Sequence, residues 1–192
     1  VPRGALSHKH LYKKILSNER WRAEAYYVSR FASRGLSFDL IRTNMKRLPS
    51  SVPAAHRMCV FRFLMNELPT SHRRRFMSDG SAADCPFCAM QGADKISHWE
   101  SCAVLKAAFA IVYDHDQAAK IISFHVLFLQ VGLTSQELQQ VCASIHAIWR
   151  CRCAITLGFS FDSVNDLAMH IKNISDDPWI HGCCPDLTRK ER

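Results

Sequence analysis

Three cysteines and a histidine lie close together in the middle of this chain, in the run Cys85-Pro-Phe-Cys88 followed by His98-Trp-Glu-Ser-Cys102. Two residues between Cys85 and Cys88 let both thiolates point into one turn. A helix that begins after Asp94 would place His98 and Cys102 one turn apart on the same face. The spacing therefore predicts a tetrahedral metal site with three sulfur ligands and one nitrogen ligand.

Zinc is the metal that such a ligand set favours. The loop before the first ligand, residues 78–84, is polar, which argues against free thiols buried there for packing alone. Because protein atoms fill all four positions, none remains for an activated water. We therefore expect one structural Zn2+, bound in a knuckle that spans residues 79–105.

Basic residues are concentrated in the first part of the chain. Residues 1–78 contain 16 Lys and Arg and four acidic residues, a balance of +12, whereas residues 79–192 have a balance of −4. A strongly basic region indicates contact with phosphates, with a solvated basic surface as the alternative. We interpret three clusters as candidate nucleic-acid contacts. They are Lys13 and Lys14; Arg42, Lys46 and Arg47; and Arg73, Arg74 and Arg75.

Apolar residues recur at helical spacing through most of the chain, and no alternating pattern is long enough to indicate a strand. The sequence predicts an all-α fold with the zinc knuckle in a central loop. Residues 1–4 resemble the remnant of a cleaved purification tag. The remaining segments are a basic helical region, 5–78; the knuckle, 79–105; a helical bundle, 106–178; and a tail, 179–192.

Capping signals and apolar periodicity delimit the helices. Ser37 is expected to cap a helix, with Asp39 in its first turn. Thr134 and Glu137 form a capping-box pattern that opens the longest helix. The expected helices cover residues 7–16, 19–33, 38–48, 53–68, 103–113, 116–130, 134–157 and 162–174.

The chain has nine cysteines, an odd number, and no signal peptide is apparent. This usage favours a reducing compartment, so we expect an intracellular protein, nuclear or cytoplasmic. No apolar run reaches the roughly 20 residues that span a bilayer, and we expect no membrane partner. A second zinc site is conceivable, although ordinary buried thiols on an apolar helix face explain the same pattern. Its candidate ligands are Cys142, His146, Cys151, Cys153, Cys183 and Cys184.

The segment from Phe61 to Arg75, together with the knuckle, resembles the zinc-binding CCHC region that follows the polymerase in reverse transcriptases of LINE-type, non-LTR retrotransposons. Members of this family commonly show a helix, a Leu-Pro-Thr type of turn with arginines, and then a Cys-Pro-x-Cys knuckle. An acidic residue, a histidine and a final cysteine complete the pattern. The similarity covers residues 58–105. Three residues separate His98 from Cys102, where many relatives have four, as in a divergent branch.

This resemblance implies a C-terminal fragment or domesticated relative of such a protein, binding RNA or target DNA in target-primed reverse transcription. It implies zinc ligation by the knuckle and nucleic-acid contacts from Arg73 to Arg75. The family's aromatic-x-Asp-Asp catalytic motif is absent, apart from a faint echo at Asp176-Asp177. We therefore expect a non-catalytic module whose partners are nucleic acid and the polymerase part of the same parent protein. The alternative is a zinc-stabilised helical protein-interaction module, or a structural subunit of a larger ribonucleoprotein.

Overall fold

The structure, a computed structural model, describes residues 21–68, 70 and 83–176, with side chains from residue 26 onward. Over these residues the chain is all-α, as the sequence predicts. A 3-10 turn covers Ile96–His98. The α-helices are α1 Trp21–Ala32, α2 Phe38–Lys46, α3 Ala54–Leu64, α4 Ala103–Val112, α5 His115–Ile121, α6 Phe124–Leu127, α7 Ser135–Thr156 and α8 Val164–Asp176.

Several predictions concern residues outside the described ranges. Among them are five of the basic residues expected to contact phosphates, together with the first expected helix, the tag remnant and the tail. In the part of the chain that is described, none of the helices has the length and apolar character needed to cross a membrane. The predictions that fall outside are those for Lys13, Lys14, Arg73, Arg74, Arg75, residues 1–4, 7–16 and 179–192.

Two predicted helix starts are confirmed by side-chain caps. The Ser37 hydroxyl accepts a hydrogen bond from the Leu40 amide at 3.4 Å, at the start of α2. At the start of α7, the Thr134 hydroxyl accepts from the Glu137 amide at 3.2 Å, and the Glu137 carboxylate accepts from the Thr134 amide at 2.7 Å. Both caps satisfy amides that lack partners within the helix, so the short local pattern sufficed to place the starts of α2 and α7.

The predicted helix over 116–130 is wrong, because the chain breaks between α5 and α6. Ser123 is extended, with ψ 146°, and its hydroxyl donates to the Lys120 carbonyl at 2.9 Å. A serine that binds nearby backbone offers an alternative to the helical hydrogen bond. Apolar residues on both sides of the break are buried, so their spacing continues across it and conceals it.

The longest helix, α7, is the centre of the fold. It packs against α3 and α8, and α8 also packs against α4. One hydrophobic core extends from Tyr27 in α1 to Ile174 in α8 and includes residues of the knuckle. The knuckle is therefore enclosed by helices that precede it and follow it in the chain.

A buried asparagine holds the segment that leads into α7. Asn44 on α2 is 1% exposed, and its side-chain amide donates to the carbonyls of Leu129 at 3.1 Å and Val131 at 2.8 Å. Leu129 has a φ of 55°, in the left-handed region that a leucine rarely adopts. The Asn44 amide thus stabilises a strained turn across a large sequence separation.

We expect Asn44→Leu to lower the free energy of unfolding by about 1–3 kcal/mol, because it leaves two carbonyls without their side-chain donor. Urea titration would measure the change. Asn173→Leu is the matched control, since Asn173 is exposed on α8. Exposed substitutions of this kind change stability by about 0.5 kcal/mol or less. Equal effects of the two variants would contradict the role given to Asn44.

Candidate metal centre

A tight backbone turn brings the first two cysteines together. The Cys85 amide donates to the Met90 carbonyl and the Ala89 amide donates to the Cys85 carbonyl, both at 2.9 Å. Ala89 has a φ of 55°, a conformation that glycine adopts at lower cost. This reversal points Cys88 back towards Cys85, as the two-residue spacing predicts.

The prediction that His98 and Cys102 share one helical face is wrong. Lys95 is extended, with φ −141° and ψ 150°, and only the short 3-10 turn follows it. Cys102 is also extended and lies just before the first residue of α4. A helix does not begin after Asp94 because the Asp94 side chain is drawn into the core by Arg152 on α7. Successive three-residue turns bring the two ligands together instead.

The four predicted ligands do converge. Their ligand atoms all lie within 4.8 Å of one another. The Cys85 and Cys102 sulfurs are 4.0 Å apart, and the Cys88 sulfur is 3.2 Å from His98 Nε2. Among the described residues, this is the one group of three or more His, Cys, Asp or Glu with such convergence. The cluster could hold one metal ion.

The His98 ring is oriented by a neighbour that the sequence did not single out. The Ser101 hydroxyl is 3.1 Å from His98 Nδ1 and also 3.1 Å from the His98 carbonyl oxygen. Because the hydroxyl donates its proton to the carbonyl, it accepts a hydrogen bond from Nδ1–H, and the lone pair of Nε2 then faces the sulfurs. Metal-binding histidines usually have such a partner on the second ring nitrogen, which fixes the ring and its tautomer.

The electrostatics of the cluster favour a deprotonated sulfur. A hydrogen bond from Cys102 lowers the pKa of Cys85 to about 5, with backbone amides of the turn adding to the effect and burial opposing it. The same hydrogen bond, together with burial, raises the pKa of Cys102. Because the thiolate is the form that binds metal ions, the fold prepares one of the sulfurs for ligation.

A buried ion pair connects the knuckle to α7. Arg152 Nε donates to Asp94 Oδ1 at 2.8 Å, and Arg152 Nη2 donates to Asp94 Oδ2, which makes the contact bidentate. Arg152 is 2% exposed and Asp94 is 3% exposed. The guanidinium carbon also lies 5.0 Å from the centre of the Trp149 ring. Asp94 lies between the second and third ligands, so this pair fixes the ligand-bearing loop against the longest helix.

Aromatic packing secures the other side of the knuckle. Trp99, next to the histidine ligand, is buried, and its ring centre is 5.3 Å from that of Phe63 on α3. Phe63 is in turn 4.7 Å from Phe128, ring centre to ring centre. The ligand loop is therefore held between α3 and α7. Neither long-range contact has a signal in the local sequence pattern.

The predicted phosphate contacts that fall in the described ranges lie at the end of α2. Lys46 and Arg47 are exposed and Arg42 is half-buried. Other arginines of the basic half bind backbone carbonyls within the protein, which the sequence analysis did not anticipate. The carbonyl acceptors are Met65 for Arg30 at 2.6 Å, Leu64 for Arg34 at 2.6 Å, and Val52 for Arg57 at 2.8 Å.

The residues considered for a second metal site do not form one in the part of the chain that is described. Cys142, His146 and Cys151 are buried and Cys153 is half-buried, but their ligand atoms do not converge. Burial raises the pKa of Cys142 to about 12, which disfavours the thiolate. These thiols belong to the core packing. Cys183 and Cys184 lie outside the described residues.

Neither family models, nor curated proteins, nor solved structures match this chain. The features that bear on function are therefore the knuckle, the charge distribution and the sequence motif of residues 58–105.

Proposed function

We propose that the chain is a zinc-stabilised helical module that binds nucleic acid, either RNA or target DNA. The observation that carries the proposal is the convergence of three sulfurs and one imidazole nitrogen within 4.8 Å. The metal has a structural role, because its site supplies four protein ligands.

The donor set and its spacing suit zinc. Soft thiolate ligands favour zinc over magnesium or calcium, which prefer oxygen. In a tetrahedral site with zinc–sulfur bonds of about 2.3 Å, two sulfurs are separated by about 3.8 Å. The Cys85 and Cys102 sulfurs are 4.0 Å apart, so a small inward movement meets this geometry. Zinc would thereby fix the chain entering α4 to the turn that begins at Cys85.

The charge distribution supports nucleic acid as the ligand. Lys46 and Arg47 project from the end of α2 and are exposed, next to the half-buried Arg42. These side chains belong to the half of the chain with a balance of +12. Clustered Lys and Arg bind phosphates and displace condensed counterions, which gives affinity without sequence dependence.

The resemblance to the CCHC region of LINE-type reverse transcriptases supports the same proposal. It adds Arg73, Arg74 and Arg75 as contacts beside the knuckle. The charge distribution adds Lys13 and Lys14 as a further basic cluster. In this proposal the module is non-catalytic and works with the polymerase part of a parent protein. In this proposal zinc fixes the ligand-bearing loop relative to the helices that pack against it.

Two observations favour the alternative of a protein-interaction module. Arg30, Arg34 and Arg57 bind carbonyls of the protein itself, which reduces the number of guanidinium groups available to phosphates. The knuckle turn also borders an apolar groove of about 320 Å³ between α4, α7 and α8. Binding to a protein that competitor RNA does not displace would support this alternative.

We expect the chain to bind a fluorescently labelled structured RNA, single-stranded DNA or duplex DNA with an affinity that falls steeply with salt. Fluorescence anisotropy over a salt series would measure the slope of log K against log salt. The double substitution Lys46→Gln/Arg47→Gln is expected to reduce the magnitude of this slope by about two, since each neutralised phosphate contributes about 0.9 for duplex DNA and somewhat less for single strands.

The control carries the same charge change in the acidic half of the chain. Lys106 and Lys172 are exposed, and Lys106→Gln/Lys172→Gln should leave the slope nearly unchanged. Negligible binding of the parent to all three nucleic acids near physiological salt would overturn the proposal. Equal losses from the two double variants would show that net charge, rather than the end of α2, determines binding.

A further inference from the structure

Two histidines that the metal centre does not use are packed against each other in the core. His56 lies on α3 and His146 on α7, with ring centres 4.9 Å apart and ring planes inclined by 51°. His56 is 2% exposed and His146 is 7% exposed. Their contact lies within the interface between α3 and the central helix α7.

Within the described part of the chain, three of the four ring nitrogens lack a hydrogen-bond partner. Neither nitrogen of His56 has one among the described atoms, nor does Nδ1 of His146. Burial lowers the pKa of His56, and the nearby Ile174 carbonyl of α8 opposes this shift only in part. A neutral imidazole tolerates such a site at moderate cost, whereas a buried imidazolium needs acceptors for both of its N–H groups.

The surrounding charges also oppose protonation. Positive charge on His56 and on Arg150 of α7 lowers the pKa of His146. Arg57, next to His56 on α3, donates to the carbonyls of Pro49 and Val52. The neighbouring thiols Cys59 and Cys142 are held protonated by burial. Among the described residues, no carboxylate shifts the pKa of either ring.

We propose that the His56–His146 pair is an acid-sensitive latch at the junction of α3, α7 and α8. With both rings neutral, they pack as core side chains and the three helices stay together. In mildly acid solution, a charged ring finds too few acceptors in the junction, where the Ile174 carbonyl is the one that acts on His56, and the helices separate. This inference is independent of the proposed zinc and nucleic-acid binding.

The direction in which stability changes with pH follows from the pKa shifts of the two histidines. Burial, then His56 and Arg150, lowers the pKa of His146 to about 4, and burial lowers the pKa of His56. An unfolded histidine has a pKa of about 6.5, so the unfolded chain takes up protons first as the pH falls. The neutral histidine pair makes its full contribution to the stability of the fold above about pH 6.5. This contribution decreases as the pH falls towards the pKa values of the two histidines in the folded protein. Within that window, each unit by which the pH falls raises the unfolding constant by up to tenfold for each histidine that stays neutral in the folded protein.

Urea unfolding of the full chain at pH 7.5, 6.0 and 5.0 tests the latch. We expect the unfolding constant of the parent to rise between pH 6.0 and 5.0 by up to about a hundredfold more than that of His56→Phe/His146→Phe, since two titrating groups are removed. Contributions from the metal ligands are common to both proteins and cancel in this comparison. Parallel pH profiles for the parent and the double variant would overturn the proposal.

A control variant and a second measurement distinguish the latch from the effect of replacing any histidine by phenylalanine. His115 is exposed at the start of α5, and His115→Phe should keep the profile of the parent. If the double variant does not fold, NMR of the imidazole nitrogens in the parent decides the question. Neutral His56 and His146 signals that persist at pH 5.5 in the folded protein support the latch, and charged signals at that pH overturn it.

Discussion

Cys102→Ala is expected to abolish metal binding and to lower the free energy of unfolding by more than about 4 kcal/mol. The reason is that structural zinc in comparable small sites contributes about 10 kcal/mol or more, and the loss of one of four ligands removes most of it. The loop carrying Asp94, His98 and Trp99 would lose its attachment to Cys85 and would disturb the core that it enters. Metal content by mass spectrometry and urea titration would measure both effects.

The chain provides a matched control for this experiment. Cys142 is as fully buried as Cys102, but its sulfur does not belong to the convergent group. Cys142→Ala removes the same atom from the core and should cost about 1–2 kcal/mol through lost packing. A chelator should lower the stability of the parent and of Cys142→Ala, and leave Cys102→Ala unchanged. Equal destabilisation and equal metal content in the two variants would show that Cys102 is an ordinary core thiol.

The convergence of the four candidate ligands could be predicted from the sequence because the features that identify them are local. Two residues separate Cys85 from Cys88 and three separate His98 from Cys102, so the chain between them permits few arrangements. The capping box at Thr134 was predictable for the same reason. In each case the interacting groups are neighbours in the chain, and their chemistry alone restricts the local backbone.

The path of the chain between the ligands could not be predicted in the same way. The helix expected after Asp94 is replaced by a 3-10 turn, since Asp94 binds Arg152 at a separation of 58 residues. Periodicity reports which face of a helix is apolar and does not report which residue of a distant helix faces it. The contact between His56 and His146 escaped prediction for this reason as well.

The break at Ser123 shows a different limit. Ile121 and Ile122 before the break and Val126 and Leu127 after it are all buried. Because apolar residues are buried on both sides of the break, their spacing along the sequence is nearly that of one long amphipathic helix. The extended Ser123 separates the two helices, and its hydroxyl bonds to the Lys120 carbonyl, but serine forms this bond in helices and turns alike.

The second large effect is expected from the buried ion pair. Arg152→Met should lower the free energy of unfolding by about 3–5 kcal/mol, because it leaves the Asp94 carboxylate buried without its bidentate partner. Asp94→Asn should also destabilise, since the Arg152 guanidinium then loses its counter-charge. Urea titration measures the stability of each variant.

A double-mutant cycle distinguishes the ion pair from simple loss of packing. The variant Asp94→Asn/Arg152→Met no longer contains a buried unpaired charge, so it should be more stable than the sum of the single changes predicts. The exposed pair of Lys120 and Glu137 provides the comparison, and Lys120→Met should cost about 1 kcal/mol or less. Additive effects of the two buried substitutions would contradict a coupled pair.

The ion pair should also affect metal binding, because Asp94 lies in the loop that carries two of the four ligands. Its carboxylate is held on α7, and this position determines where the following 3-10 turn presents His98. In Arg152→Met the loop must be ordered by the metal itself, and part of the binding free energy is used for that ordering. Zinc competition with a chromophoric chelator should therefore show weaker binding in Arg152→Met than in the parent, with Lys120→Met unchanged. Identical zinc affinities in all three proteins would show that the Asp94–Arg152 pair stabilises the helices without positioning the ligands.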